Sequence, residues 1–346
     1  MVKRSSAPWT VTDGRAGNVR QAVALASALR QGTHRPLVLQ PRAPWRWLSP
    51  RRLPGDVNGY GGAFATLAAE APALAIGCGR QAAGALRVLR ARGSQVVQIL
   101  DPRIGARHWD VVVVPEHDAL RGSNVLTLLG SLNPVDDDWL AWGRAAFAGF
   151  STLPGPRTAL LVGGPTPLAP WDETAMVGVF QALARQIRSE GGSLLATTSR
   201  RTPPALAEIL RATFADLPHV IWGDGGDGTN PYGGLLGWAN RVVVSPDSVN
   251  LLSEACATRM PVMVALADTA QGRLARFQQQ LRERGRLQAH WLGRLLADLR
   301  DPYEPLERIA AKHGLPPAQV GQIVLDNRIP RHRGPGRAGP RGWPRK

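Results

Sequence analysis

ALAIGCG (73–79), RQAAGALRVLRARG (80–93) and QVVQIL (95–100) lie in direct succession and read as strand, helix and strand joined by short glycine turns. The outer runs are short and apolar, as buried strands are, and the middle stretch repeats its apolar residues at helical spacing. A strand, a crossover and a second strand of this kind pair in parallel. The same unit extends outward on both sides. Upstream lie PWTVTD (8–13), a glycine turn, the Ala-rich amphipathic stretch NVRQAVALASALRQ (18–31) and RPLVLQ (35–40). Downstream, WDVVVVPEHD (109–118) and NVLTLLGSL (124–132) add two strands before the pattern breaks near Phe150.

STLPGPR (151–157) clusters Pro and Gly between a helical stretch and a new apolar run, and so reads as a linker. A second alternating set follows: TALLVGG (158–164), a helix over 172–190, SLLATTS (193–199), a helix over 203–214, HVIWG (219–223), RVVVSPD (241–247), the helix VNLLSEACAT (249–258) and PVMVAL (261–266). The expected fold is therefore α/β, with two Rossmann-like, doubly wound domains over 1–150 and 151–327. QGRLARFQQQLRERGRLQAHWLGRLL (271–296) reads as basic amphipathic helix, either lying on a membrane surface or packed with a solvated Arg face; PYEPLERIAAKHGL (302–315) follows it.

A length of 346 residues agrees with two domains. The 38 glycines follow no three-residue period, and two cysteines cannot staple such a chain, so Cys78 and Cys256 read as reduced core residues. The net charge is +16, but the terminal stretch RIPRHRGPGRAGPRGWPRK (328–346) carries seven positive residues and no acid, leaving +9 for the rest. That stretch reads as a basic disordered tail. Nucleic acid as a partner would rest on charge alone and is not favoured. No run reaches the ~18 apolar residues of a membrane span. The N-terminus meets Asp13 and Arg15 before any apolar signal core. The expectation is a cytoplasmic protein, with membrane contact limited to an anionic surface at the inner face.

In open parallel sheets ligands bind beyond the carboxyl ends of the strands, and four loops there carry polar chemistry. Asp13-Gly14-Arg15-Ala16-Gly17-Asn18 offers glycines and a helix N-terminus to an anion, or is an ordinary strand–helix turn. Gly163-Gly164-Pro165-Thr166 opens the second half in a manner suited to a phosphate. Ser199, Arg200 and Arg201 bring a hydroxyl and two guanidiniums to a helix start, either for phosphate or as a solvated cap. Asp247 or Ser248 caps the helix that carries Glu254. No cluster with metal-ligand spacing is present.

Taken together, TDGRAGNVRQA (12–22), IGCGRQAA (76–83), QILDPR (98–103), VVVPEHD (112–118), GSLNPV (130–135), LVGGPT (161–166), TTSRRTP (197–203), NPYGGLLGWANRVVVSPDSVNLLSEACATRMPV (230–262) and PYEPL (302–306) resemble the elongated-mitochondria fission protein family, whose bacterial members are described as glycosyltransferases. The resemblance covers most of residues 8–310. It implies a GT-B-like architecture, with the two domains facing across a cleft, an acceptor side in the first and a nucleotide-sugar donor side in the second. It further implies that Glu254 holds ribose, that Asp247 and Ser248 begin the donor helix, that Gly163, Gly164 and Thr166 border the diphosphate, and that Arg200 and Arg201 with Ser199 attend the leaving group. The nucleotide sugar would be a substrate, with no cofactor and no metal. A base for the acceptor hydroxyl would come from Asp13, Asp101, Glu116 or His117, with Asp13 favoured and Glu116 and His117 next, beside the loop of Gly14, Arg15, Gly17 and Asn18; His117 reads equally as a hydrogen-bonded structural histidine. The alternative is a non-catalytic scaffold of the same fold that recruits a partner at a membrane surface.

Overall fold

The computed structural model describes residues 7–30, 33–288 and 307–308. The basic tail 328–346, the part of 271–296 after residue 288, and all of 302–315 except 307–308 lie outside the described residues. The chain divides into two compact units, Met1–Leu287 and Gln288–Lys346. Of the second, Glu307 and Arg308 are helical and exposed.

Within Met1–Leu287 the chain runs β1 (Trp9–Thr12), α1 (Ala16–Arg30), β2 (Arg35–Val38), α2 (Trp45–Leu48), α3 (Asp56–Gly59), α4 (Gly62–Ala69), β3 (Leu74–Cys78), α5 (Arg80–Ala91), β4 (Gln95–Ile99), β5 (Val111–Pro115) and β6 (Val125–Leu128). It continues through α6 (Asp137–Ala146), β7 (Arg157–Val162), α7 (Glu173–Glu190), β8 (Ser193–Thr198), α8 (Pro204–Thr213), β9 (His219–Trp222), α9 (Tyr232–Trp238), β10 (Arg241–Val244), α10 (Val249–Ala257), β11 (Val262–Val264) and α11 (Gly272–Glu283). The strands form two parallel sheets, ordered β2-β1-β3-β4-β5-β6 and β11-β10-β7-β8-β9. This is the two-domain, doubly wound α/β architecture expected.

Each sheet has its own core. Trp9, Val11, Leu86, Val96 and Val112 pack together in the first domain, with Ala22, Ile76, Cys78 and Ile99 forming a separate cluster. Leu160, Phe180, Leu194, Leu210, Val243 and Leu252 fill the second. Burying each such side chain stabilises the fold by about 1.5–3 kcal/mol before conformational entropy is set against it. Cys78 and Cys256 are buried free thiols. Burial pushes both up, Cys256 to about 11.

The order of winding locates the site. In the first sheet the chain steps from β1 out to β2 and returns to β3 on the other side of β1; in the second it runs β7 to β9 and returns to β10 beside β7. Crevices therefore open beyond the ends of β1 and β3 and of β7 and β10, where diverging loops leave the sheet uncovered.

The sequence reading has no counterpart for α2, α3, α4 or α9, and it leaves α6 with the first domain. α9 was not anticipated, because three of its seven residues, YGGLLGW, are glycine and its intrinsic helix propensity is low. Packing overrides propensity here. A Cβ on Gly143 would lie 2.2 Å from the Gly233 carbonyl oxygen, and one on Gly234 would lie 2.6 Å from Phe147 Cβ. The glycines let α6 and α9 approach backbone to backbone. α6 is capped by Asp136, whose carboxylate accepts from Trp139 N at 2.7 Å. Its Leu140, with Val135 just upstream, belongs to the second core. The crossing between the sheets thus falls before Val135, upstream of the Pro/Gly stretch 151–157.

Candidate functional site

A cavity of about 430 Å³ opens at the two crevices. From the first domain Asp13 reaches it at the end of β1, where Gly14 (φ +77°) takes the left-handed turn that a side chain would strain. Asp13 Oδ1 accepts from Asn18 Nδ2 at 2.9 Å and from Arg15 N at 3.2 Å. Asn18 is fixed in turn, since its Oδ1 accepts from the Cys78 thiol at 3.6 Å. Asp13 Oδ2 lies 3.5 Å from Arg15 Nε, whose side chain is 82% exposed. One carboxylate oxygen is therefore anchored, while the other has only a solvated cation beside it.

The loops after β4 and β5 add Asp101, Arg103, His117 and Asp118. Asp101 accepts from Arg103 N at 2.7 Å, and Asp118 lies 3.9 Å from Arg273 of α11. From the second domain come Arg201 and the first turn of α10, with Ser248, Val249 and Asn250. Ser248 is the N-cap and accepts from Leu251 N at 3.3 Å. Asp247 does different work. Its side chain is fully buried and accepts from Ser245 Oγ at 2.6 Å, Gly164 N at 3.2 Å and Arg201 Nη2 at 2.5 Å. It thereby fixes Arg201, which is half exposed and faces the cavity.

Several expectations from the sequence need correction. Gly163, Gly164 and Thr166 do not line the cavity. Gly163 N donates to Ser245 Oγ at 2.7 Å and Gly164 N to Asp247, so neither N–H is left for a phosphate. The glycines are required by crowding, because a Cβ on Gly163 would meet Asp247 Oδ2 at 2.1 Å and one on Gly164 the Arg201 carbonyl oxygen at 2.1 Å. Thr166 is closed into a turn with Ala169. Ser199 accepts from Arg201 N at 3.1 Å, and Arg200 is exposed away from the cavity lining. Gly17 leaves room for Asn250 of α10, whose Nδ2 would lie 2.1 Å from an added Cβ. Glu116 points out of the cavity and pairs with Arg284 Nη2 at 2.7 Å.

Glu254 is the largest departure. It is 1% exposed and absent from the cavity lining. Arg20 Nη1 of α1 donates to both its oxygens, at 2.7 and 2.8 Å, and the Tyr232 hydroxyl donates to Oε2 at 2.6 Å. Burial works against the Arg20 charge, but Glu254 outweighs it and holds the guanidinium above its ordinary range. Burial and the neighbouring carboxylate push Tyr232 far up, so it stays a donor. Beside this triad, Gln21 Nε2 donates to Asn250 Oδ1 at 3.3 Å and Ser131 N to Ser253 Oγ at 2.9 Å. α10 is thus pinned to the first domain along its length.

His117 is 7% exposed, its ring packs 5.2 Å from that of Phe277, and its Nδ1 is buried without a hydrogen-bond partner. Burial, aided by Arg273 and Arg276 against Asp118, lowers its pKa below 6.5. The unfolded chain therefore binds a proton that the folded one resists. The stability conferred by the neutral ring is present above about pH 6.5 and is lost as pH falls toward the folded value. Unfolding followed from pH 7.5 to 5 should show stability falling by no more than about 1.4 kcal/mol per pH unit from this group. His117→Gln should flatten that slope, and an unchanged slope would remove His117 as its source.

Among the described residues no three His, Cys, Asp or Glu side chains converge on a metal position. No described helix is long and apolar enough to cross a membrane. Asp118, Arg103, Arg273, Ser131, Asn250 and Gln21 reach the cavity unanticipated. The sequence clue was that Asp118 ends VVVPEHD at a strand terminus and Asn250 opens the capped helix.

Two parallel-sheet domains sharing a polar cavity at their switch points define a GT-B-like protein. The chain belongs to the family described as Mitochondrial fission ELM1, whose model matches residues 16–312. The Mitochondrial fission protein ELM1 of Arabidopsis thaliana is 31% identical over 262 residues, 67% of this chain; the chain spans 61% of that relative's length. Among solved structures, Acinetobacter baumannii MurG aligns with a TM-score of 0.46 at 16% identity, over 93% of this chain and 98% of its own. E. coli ADP-heptose LPS heptosyltransferase II aligns at 0.42 and 13% identity, over 74% and 83%. The Methanocaldococcus jannaschii UDP-GlcNAc 2-epimerase in complex with UDP-GlcNAc and UDP aligns at 0.43 and 13% identity, over 74% and 83%.

Proposed function

We propose that this protein transfers a sugar from a nucleotide-sugar donor to an acceptor hydroxyl, with Asp13 as the base. The observation that carries the reading is the cavity itself, which brings a carboxylate of the first domain opposite Arg201, Arg273 and the open first turn of α10. Its volume of about 430 Å³ falls within the range of small-molecule sites. A departing nucleotide diphosphate gains negative charge as the glycosidic bond breaks, and preformed guanidiniums with helix N–H groups stabilise that charge without reorganisation. Arg201 supplies this on the donor side and Asp247 holds it in place. Asp13 Oδ2 takes the proton of the attacking hydroxyl. The diphosphate lies against α10 and Arg201; the Gly163-Gly164 turn has no N–H to offer it.

A second reading, a scaffold without catalysis, is favoured by Glu254, whose oxygens are spent on joining α10 to α1 and α9. Equilibrium binding of UDP-, GDP-, ADP-, CMP- and TDP-sugars separates the two. The transfer reading expects one of them to bind and Arg201→Ala to weaken it about 10- to 100-fold, a charge-assisted contact of ~1.5–3 kcal/mol. Binding by none, or an Arg201→Ala variant of unchanged affinity, leaves the scaffold.

A further inference from the structure

We infer that residues 42–52, RAPWRWLSPRR, form a docking surface for an anionic lipid bilayer. In this segment Trp47 is 67% exposed and Leu48 41% exposed. Four arginines surround them, Arg42, Arg46, Arg51 and Arg52, all exposed, and the first acid after them is Asp56. Asp56 is buried and pairs with Arg52 at 2.6 Å, which leaves the other three arginines uncompensated by it.

The backbone beneath these side chains is held firmly. Arg80 of α5 donates to the Trp47 carbonyl at 2.7 Å and to the Arg46 carbonyl at 3.2 Å, and Arg87 donates to the Pro50 carbonyl at 2.7 Å. Trp45, the inward counterpart of Trp47, packs so closely on α3 that a Cβ on Gly59 would lie 2.4 Å from its ring. Of the two tryptophans on α2, one therefore anchors the platform and the other stands out from it. Holding a large apolar ring in water on a rigid base, when its neighbour Trp45 is half-buried against α3, makes sense if the ring has a partner.

The chemistry selects the partner. A single tryptophan offers at most about 250 Å², against the roughly 1,000 Å² that a stable protein interface buries. The headgroup layer is different, since it accommodates an isolated indole and a leucine while arginines stay at the phosphates. A one-signed rim matches an anionic leaflet, and the fixed backbone loses little entropy on docking. Arg46 also lines a second cavity of about 390 Å³ that it shares with Asp13 and Arg15, so docking would set this opening at headgroup level. The surface stands whether or not the transfer reading does.

Partitioning of the full chain onto phosphatidylcholine vesicles with and without phosphatidylglycerol tests it. Binding is expected only with phosphatidylglycerol and should weaken as salt rises. Trp47→Ala with Leu48→Ala should reduce partitioning at least tenfold, and the independent pair Arg42→Gln with Arg51→Gln about tenfold at low salt. Nucleotide-sugar affinity, measured on the same samples, should not change in either pair. Wild-type partitioning by both variants places any membrane contact elsewhere and overturns the proposal, as does absence of binding by the parent chain. Sedimentation velocity detects the other occupant: if the apolar pair dissolves a dimer without affecting vesicle binding, the patch is a contact between copies and the proposal fails.

Discussion

Asp13→Asn should slow sugar transfer by about 10²- to 10⁴-fold, the span that removal of a positioned general base commonly produces. The substitution isolates basicity from shape. An asparagine at 13 can still accept from Asn18 Nδ2 and Arg15 N through its amide oxygen, so the loop geometry persists. The outer oxygen is replaced by an NH₂ that cannot accept a proton. Donor affinity should stay within about twofold, because Arg201 and α10 lie on the other wall. Asp118→Asn is the comparison, since Asp118 lines the same cavity but sits beside Arg273. Single-turnover rates with a bound donor decide between them. If Asp118→Asn shows the large loss and Asp13→Asn does not, the base belongs to the loop after β5.

Arg20→Ala should destabilise the protein by about 2–3 kcal/mol, below the ~3–5 kcal/mol of a fully buried pair because Arg20 retains 35% side-chain exposure and Tyr232 still donates to Glu254. The cost comes from leaving a carboxylate of 2% side-chain exposure with one donor instead of two partners. In a chain of this size, thermal unfolding should shift down by roughly 3–4 °C. Adding Glu254→Gln to Arg20→Ala removes the stranded charge while keeping an oxygen for the tyrosine, so the double variant should recover part of the loss. A midpoint unmoved by Arg20→Ala, or a double variant less stable than the single one, contradicts the role of this pair.

The strands were legible because each carries its own signal. TALLVGG and RVVVSPD are apolar runs that end in turn residues, and a fully buried parallel strand has little else to encode. α9 was hidden for the opposite reason, since its glycines serve a neighbour, α6, that sequence order does not reveal. In the site, glycines after a strand have two causes, an approaching ligand and an approaching chain. Gly163, Gly164 and Gly17 turned out to be of the second kind, which only tertiary structure distinguishes. Glu254 was assigned to the donor through the resemblance, which carries no packing information; six residues from Ser248 at about 100° each carry it ~120° round the helix, toward α1 and α9. Asp13, Asn18, Arg201 and Ser248 were recoverable because each sits at the carboxyl end of a strand or at the helix start beyond it, where topology alone directs a side chain to the crevice.

The glycine seam between α6 and α9 bears on how the chain can be divided. The proline and glycine stretch 151–157 is an attractive place to cut, yet a fragment starting there would leave behind the helix that covers Gly233 and Gly234 and would open the seat of Leu140 to water. The natural seam lies between Gly130, whose missing side chain makes room for Ser253 Oγ, and Val135. A circular permutant or an inserted reporter respects the architecture if it leaves α6 covalently attached to the half it shields.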